Sequence, residues 1–326
     1  MIRARNLDKS FGRTHAVRDL TFEVRPGVVT GFLGPNGAGK STTLRLMLDL
    51  DKGGGETRFD GVRYAELERP LREVGCVLDA RSFHPTRTAR DHLRMLAAAA
   101  SIPAVRVDEV LDLVGLGEVA RHRPRGFSLG MAQRLGLAAA LLGDPHTLIL
   151  DEPANGLDPH GIQWLREFLR AYADAGRTVF VSSHQLAEMA LMAQELVVIG
   201  RGRLIAAGPV DDFVGRFTHQ SVVVRGPQVQ RLATVLRMSF VGVDVTAEDE
   251  TTILVEGLRT EQVGDLAAAH SITLHELSVR TASLEQAFLE ATGGDVEYAA
   301  AGLRAAERVT GGCTAPTRRC AWSGCG

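Results

Sequence analysis

Lysine is almost missing from this 326-residue chain: Lys9, Lys40 and Lys52 are the only three among 37 basic residues. With so few ammonium groups, one set inside a glycine-rich run stands out, and Lys40 is that residue. Net charge is equally scant. The 37 basic residues against 39 acidic ones leave −2, so no general positive field draws the chain to nucleic acid or to an anionic membrane surface. No apolar run approaches the ~20 residues that a membrane-spanning helix requires. Leu137 to Leu142 and Leu196 to Ile199 have the length of core segments. The N-terminal MIRARNLDKSFG is basic but lacks the apolar stretch of a secretory signal, which makes a cytoplasmic location the expectation. Cysteine is sparse too. Cys76 stands alone, and Cys313, Cys320 and Cys325 follow no common zinc spacing, so they read as thiols without a metal.

What is present, 45% hydrophobic and 23% charged residues, is the composition of a folded globular protein. The length suggests two domains and a tail. From residue 1 to about 215, β-rich runs alternate with helical patterns, which predicts an α/β domain with a largely parallel sheet. The strands expected are Thr21 to Val24, Val28 to Leu33, Val74 to Leu78, Thr147 to Leu150, Thr178 to Ser182 and Leu196 to Ile199. Helices are expected at Ser41 to Leu50, Gly161 to Ala173 and Gln185 to Ala193, and a helical insertion over about 80–143. From 216 to 294 the order becomes βαββαβ, a small α+β domain of the split βαβ kind. Its strands are read at Ser221 to Arg225, Val241 to Thr246, Thr251 to Glu256 and Ile272 to Val279. Helices fall at Val229 to Met238 and Glu261 to Ala269, with a further one at Ser283 to Ala291. Residues 295–326 lack a core pattern and read as a disordered tail.

The segment Gly34-Pro35-Asn36-Gly37-Ala38-Gly39-Lys40-Ser41-Thr42 has the spacing G-x-x-x-x-G-K-[ST] between an expected strand and an expected helix. Glycines let successive N–H groups turn inward, the helix adds its positive N-terminus, and Lys40 adds a full charge. This is a phosphate cradle, with Ser41 available to Mg²⁺. Downstream, Thr147 to Leu150 ends in Asp151 and Glu152. Either acid alone would pass for an ordinary strand-end residue. Paired with the upstream loop, Asp151 suits Mg²⁺ and Glu152 suits a general base that polarises water near a γ-phosphate.

Together with further motifs in order, the pattern resembles the ATP-binding cassette (ABC) ATPases over residues 1 to about 215. Phe127-Ser128-Leu129-Gly130-Met131-Ala132-Gln133-Arg134 is similar to the family's signature, with Ser128 and Gly130 at its serine and second glycine. Asn155-Gly156-Leu157-Asp158 resembles its D-loop, and His184 after Val181-Ser182-Ser183 matches its switch histidine. Phe11 stands where the family stacks an aromatic ring on adenine.

The resemblance implies a P-loop cassette that binds ATP and Mg²⁺ and works as a homodimer, each signature closing on the partner's nucleotide. Ser128, Gly130 and Asp158 would then join the nucleotide site across the interface. Three departures qualify it. Leu129 replaces the signature's first glycine and Met131 its glutamine, and Asp79 stands where a glutamine follows the strand Val74 to Leu78. Asp79 is expected to reach metal-bound water, and Phe83 to Thr88 to face a membrane subunit.

A separate ATPase subunit with one cassette and a C-terminal extension resembles exporters of the ABC-2 type, including drug and antibiotic self-resistance pumps. The implied place of work is the cytoplasmic face of the membrane, docked on an ABC-2 permease. The alternative is a soluble cassette ATPase that acts on ribosomes or nucleic acid. Against it stand a single phosphate loop and a balanced charge, so no nucleic-acid partner is expected.

Overall fold

The computed structural model describes residues 1–84, 86–217, 220–240 and 242–281. The expected helix Ser283 to Ala291 and the tail 295–326 lie outside them.

An antiparallel sheet opens the chain. Strands β1 (Ile2–Phe11) and β2 (Thr14–Val24) form a hairpin, which is joined through β3 (Val29–Leu33) and helix α1 (Lys40–Met47) to β4 (Gly54–Phe59) and β5 (Val62–Arg63). The sheet order is β2-β1-β4-β5. Next come α2 (Pro70–Glu73) and β6 (Val74–Val77), then three helices: α3 (Ala89–Ala99), α4 (Val105–Leu113) and α5 (Leu129–Leu141). The chain returns to the sheet with β7 (Thr147–Asp151), α6 (Pro159–Asp174), β8 (Thr178–Ser183), α7 (Leu186–Met192), β9 (Glu195–Gly200), β10 (Arg203–Pro209) and α8 (Val210–Phe217).

The central sheet has the order β10-β9-β3-β8-β7-β6, parallel except for its edge strand β10. Strands β3 and β8 are buried at every position, as expected of parallel strands covered on both faces. One side packs against α3 to α7 through Leu93, Leu111, Leu135, Leu165 and Met189. The other faces α1 and the antiparallel sheet, where Phe22, Phe32 and Phe180 gather with ring centroids 5.1 to 5.8 Å apart. Two of these rings, Phe32 and Phe180, sit on the strands leading into the phosphate loop and into His184.

The rest is β11 (Gln220–Arg225), α9 (Val229–Ser239), β12 (Asp244–Ala247), β13 (Thr252–Glu256), α10 (Thr260–Ala269) and β14 (Glu276–Thr281). The order βαββαβ is therefore present, as an antiparallel sheet β12-β13-β11-β14 with its own apolar core around Val224, Leu232, Leu236, Ile253 and Val263.

Several elements differ from the sequence reading. Strands β1, β4, β5 and β10 were not expected, because half-buried antiparallel strands alternate with polar residues. Ile2 and Ala4 are buried while Arg3 and Arg5 are exposed, and register shifts after Ala4 break even that alternation. Helix α1 stops at Met47 rather than Leu50: Leu50 is half exposed, and Asp49 takes φ 53°. Ile272 belongs to no strand; its N–H closes the end of α10 on Ala267 O, and its side chain fills the core there.

Candidate functional site

The loop between β3 and α1 is shaped by contacts that exclude side chains. Gly39 has φ 100°, and a Cβ on it would lie 2.4 Å from the carbonyl oxygen of Ala16 in β2. Gly37 also takes a left-handed φ of 84°, while Gly34 is pressed against Ile199 O in β9. Ala38 N–H closes a turn on Pro35 O at 3.1 Å, and Ala38 O accepts from Gly202 N–H at 2.9 Å. The loop is thus held between β2 and the β9–β10 turn. Asn36 and Ser41 stay exposed and Thr42 half-buried.

Lys40 is 6% exposed, the only buried Lys, Arg, Asp or Glu among the described residues. Its ammonium donates to Gly34 O at 2.7 Å and lies 3.3 Å from Glu152 Oε1. His184 Nδ1 donates to Glu152 Oε2 at 2.9 Å, leaving Nε2 as the ring's second hydrogen-bonding atom. Lysine, glutamate and histidine, far apart in sequence, therefore form one chain of contacts at the carboxyl ends of β3, β7 and β8. Open parallel sheets place ligands at that edge. Beside it, Ser41 Oγ donates to Asp151 Oδ2 at 2.6 Å.

Two further residues hold the acids in place. Ser182 Oγ accepts from Glu152 N–H at 2.9 Å and donates to Asp151 Oδ1, so one hydroxyl braces both. Gln133, on α5, donates from Nε2 to Glu152 O at 3.2 Å. Glu152 itself has φ 49°, an unfavourable region for a side-chain-bearing residue, and strain of this kind concentrates at functional positions. The sequence reading missed Ser182, Gln133 and Ala16. The first two act on the backbone of Glu152 or across strands, and Ala16 acts through its own carbonyl; none has a local signature.

Glu188, at the start of α7, borders the same cluster: Ser183 Oγ donates to it at 3.5 Å. Burial, and behind it the Glu152 carboxylate, hold its carboxyl above the usual range.

The signature residues stand where α5 begins. Ser128 is the N-cap and accepts from Met131 N–H at 3.2 Å, which leaves its O–H free to donate elsewhere. A Cβ on Gly130 would lie 2.9 Å from Gly156 O, so α5 sits directly against the D-loop segment. Gly156, at φ 77°, makes room in turn for Leu129, whose Cδ2 would lie 2.4 Å from a Cβ there. Leu129 thus uses the space of a glycine for packing, and stays 40% exposed.

Asp158 caps α6, accepting from Gly161 N–H at 2.8 Å. Phe11 ends β1 at the hairpin tip and is 52% exposed. Asp79 follows β6, the neighbour of β7 in the sheet. Its Oδ1 accepts from Arg81 N–H at 2.8 Å, closing a turn in its own loop, and it lines a cavity of ≈ 300 Å³ with Phe83, His92, Leu96 and Leu135. A short carboxylate two residues from a backbone N–H is drawn into such a turn, where a longer glutamine would reach outward.

Phosphate loop, paired acids and histidine at the edge of a parallel sheet define a P-loop ATPase. The ABC transporter family profile matches residues 17–155, and a family described as "Domain of unknown function (DUF8746)" matches residues 220–285. The uncharacterized ABC transporter ATP-binding protein YhcH of Bacillus subtilis is 35% identical over 303 residues, 90% of this chain and 96% of YhcH. The bacitracin transport ATP-binding protein BcrA of Bacillus licheniformis is 39% identical over 215 residues, 65% of this chain and 70% of BcrA. A solved ATP-binding subunit of an ABC transporter superposes with a TM-score of 0.61 at 28% identity, covering 67% of this chain and 93% of that one. The chain belongs to the ATP-binding subunits of ABC transporters. It is an ATPase that serves membrane transport. Among the described residues, no helix is long and apolar enough to cross a membrane.

Proposed function

We propose that this chain is the ATPase subunit of an exporter of the ABC-2 type, working as a homodimer at the cytoplasmic face of the membrane. The observation that carries the reading is the contact chain Lys40–Glu152–His184 beside the Ser41–Asp151 pair. In it Lys40 and the N–H groups of residues 37–41 hold the β- and γ-phosphates. Glu152, braced by Ser182 and Gln133, takes the proton of the attacking water. His184 bonds the γ-phosphate and, through Nδ1, fixes the orientation of that base.

Ser41 and Asp151 offer two hard oxygens 2.6 Å apart, a donor set that fits Mg²⁺ alongside substrate phosphates. Bound there, the ion would supply charge neutralisation between the phosphates. Phe11 stacks on the adenine. Across the dimer, the free hydroxyl of Ser128, the Gly130 N–H and the positive end of α5 meet the partner's γ-phosphate, with the D-loop around Asp158 running along the seam.

The membrane subunit docks where the helices of 89–141 meet the sheet. There the ≈ 300 Å³ cavity beside Asp79 and Phe83 adjoins one of ≈ 520 Å³ lined by Arg69, Arg72 and Leu96. The relatives named for bacitracin and lantibiotic transport and linearmycin resistance support a peptide or antibiotic cargo. The βαββαβ unit serves as an accessory domain.

The test is co-purification. A tagged chain co-expressed with an ABC-2 type permease from the same genome, extracted in detergent, should bring that permease down and hydrolyse ATP faster in its presence. Failure to associate, with sedimentation on ribosomes instead, would overturn the reading.

A further inference from the structure

Lys9 and Phe11 lie two residues apart at the end of β1. The Lys9 ammonium sits over the Phe11 ring, 4.8 Å from its centroid, inside the ~6 Å within which a cation is drawn to the negative face of a ring. It also donates to Lys52 O at 2.5 Å, in the loop that follows α1. Among the described residues its contacts are thus a ring and a carbonyl, neither of which neutralises it; the nearby Asp51 carboxylate is engaged by Arg45 at 2.8 Å.

The hairpin that carries both residues abuts the phosphate loop. Ala16 O presses on Gly39, and Arg18 N–H donates to Gly202 O, whose own N–H bonds Ala38 O. Phe11 is five residues from Ala16, at most ~17 Å of extended chain. The ring is over half exposed and one face lies under the ammonium, so a stacked ligand would use the opposite face.

We propose that Lys9 is a positioning residue of the base site: bonded to the loop after the phosphate-binding helix, its ammonium holds the Phe11 ring for a purine to stack on the far face. This rests on the reading of Phe11 as the adenine platform. It also accounts for one of the chain's three lysines.

The experiment titrates the full-length chain with MgATP and, separately, with magnesium tripolyphosphate, which carries the phosphates without a base. Lys9→Met keeps the alkyl stem and removes the charge, Lys9→Arg keeps the charge, and Phe11→Ala removes the platform. Phe11→Ala should weaken MgATP about tenfold and Lys9→Met about threefold. Lys9→Arg should stay near the parent, and tripolyphosphate binding should be unchanged in all. Lys9→Met added to Phe11→Ala should weaken ATP no further, because both act through one ring.

If Phe11→Ala weakens ATP and Lys9→Met does not, the role given to Lys9 is wrong and the base site stands. If Phe11→Ala leaves ATP binding intact, the platform itself is wrong. Equal weakening of ATP and tripolyphosphate by Lys9→Met would make Lys9 a phosphate contact or a fold contact and overturn the proposal.

Discussion

Residues 34–41 and 151–184 bury a lysine, hold a glutamate at φ 49° and set a carbonyl and a carboxylate around one ammonium, with an imidazole bonded to that carboxylate. Residues 220–281 are folded around an equally dry core, yet their described side chains include no buried charge. Arg225 pairs with Glu276 at 3.4 Å and Arg280 with Glu248, all at the surface. Buried charge and strained backbone each cost stability. The first region retains both at the mouth of one sheet; the second has no buried charge among its described residues, and its one non-glycine residue at positive φ, Ser271, lies in the turn that ends α10. Where a fold keeps expensive groups together, they point to chemistry, and where it keeps only packing, the role lies in shape and contact.

The sharpest way to break this contrast is to remove the charge at the strained position. Glu152→Gln preserves size and the backbone bonds to Ser182 and Gln133. Loss of a general base typically lowers turnover ~10²- to 10⁴-fold. ATP hydrolysis should therefore fall at least ~100-fold while MgATP binding persists. Phosphate release at the parental rate would remove the base from Glu152.

Next in size is the converse experiment in the other region. Leu232 is fully buried in the βαββαβ core, and Leu232→Ala should cost ~2 to 5 kcal/mol of that unit's stability. Urea unfolding should then begin in 220–281, with MgATP affinity and turnover unchanged. A parallel fall in ATP affinity would mean the two regions form one cooperative unit, and the contrast would lose its meaning.

The same contrast explains what was legible in the sequence. Gly34 to Thr42, Asp151 and Glu152 form short contiguous patterns, because a phosphate loop and a strand end are local structures. The parallel strands β3, β7 and β8 are buried at nearly every position, and their apolar runs show as such. Strand β1 carries four charged residues within Ile2–Phe11 and a positive φ at Asn6, and periodicity could not find it. Asp79 is legible only as a position within a motif, and the turn that its Oδ1 closes on Arg81 N–H is visible only in the structure. Ser182 lay in plain view inside an expected strand, yet its task depends on the strand beside it, and strand neighbours are set by topology.

Ser182→Ala sharpens that last point. It leaves Glu152 N–H without its partner and Asp151 without a donor. Groups that brace a metal ligand or base are typically worth ~10- to 100-fold in activity or metal affinity. A fall in kcat of ~10-fold, together with a higher magnesium requirement and little change in thermal midpoint, would mark Ser182 as a positioning residue. An unchanged magnesium dependence would remove it from that role.

The smallest effect concerns a costly group away from the phosphates. His92 on α3 is 7% exposed, and its Nδ1 has no hydrogen-bond partner in the wall of the ≈ 300 Å³ cavity. Burial, with Arg87 and His84 behind it, holds its pKa below the usual 6.5. The unfolded chain therefore binds a proton here more readily than the folded one. Stability is complete above pH 6.5 and is lost as pH falls through 6.5 toward the folded value. His92→Leu fills similar space with no nitrogen to satisfy, so it should gain ~1 kcal/mol at pH 7.5 and gain more at pH 5.5. Urea denaturation at both values checks this, and equal losses in parent and variant on acidification would exclude His92 as the source. A gain in stability with unchanged ATP turnover by the isolated subunit would separate the two kinds of costly group. Lys40 and Glu152 are kept for the phosphates, whereas the imidazole of His92 faces the groove assigned to the membrane subunit.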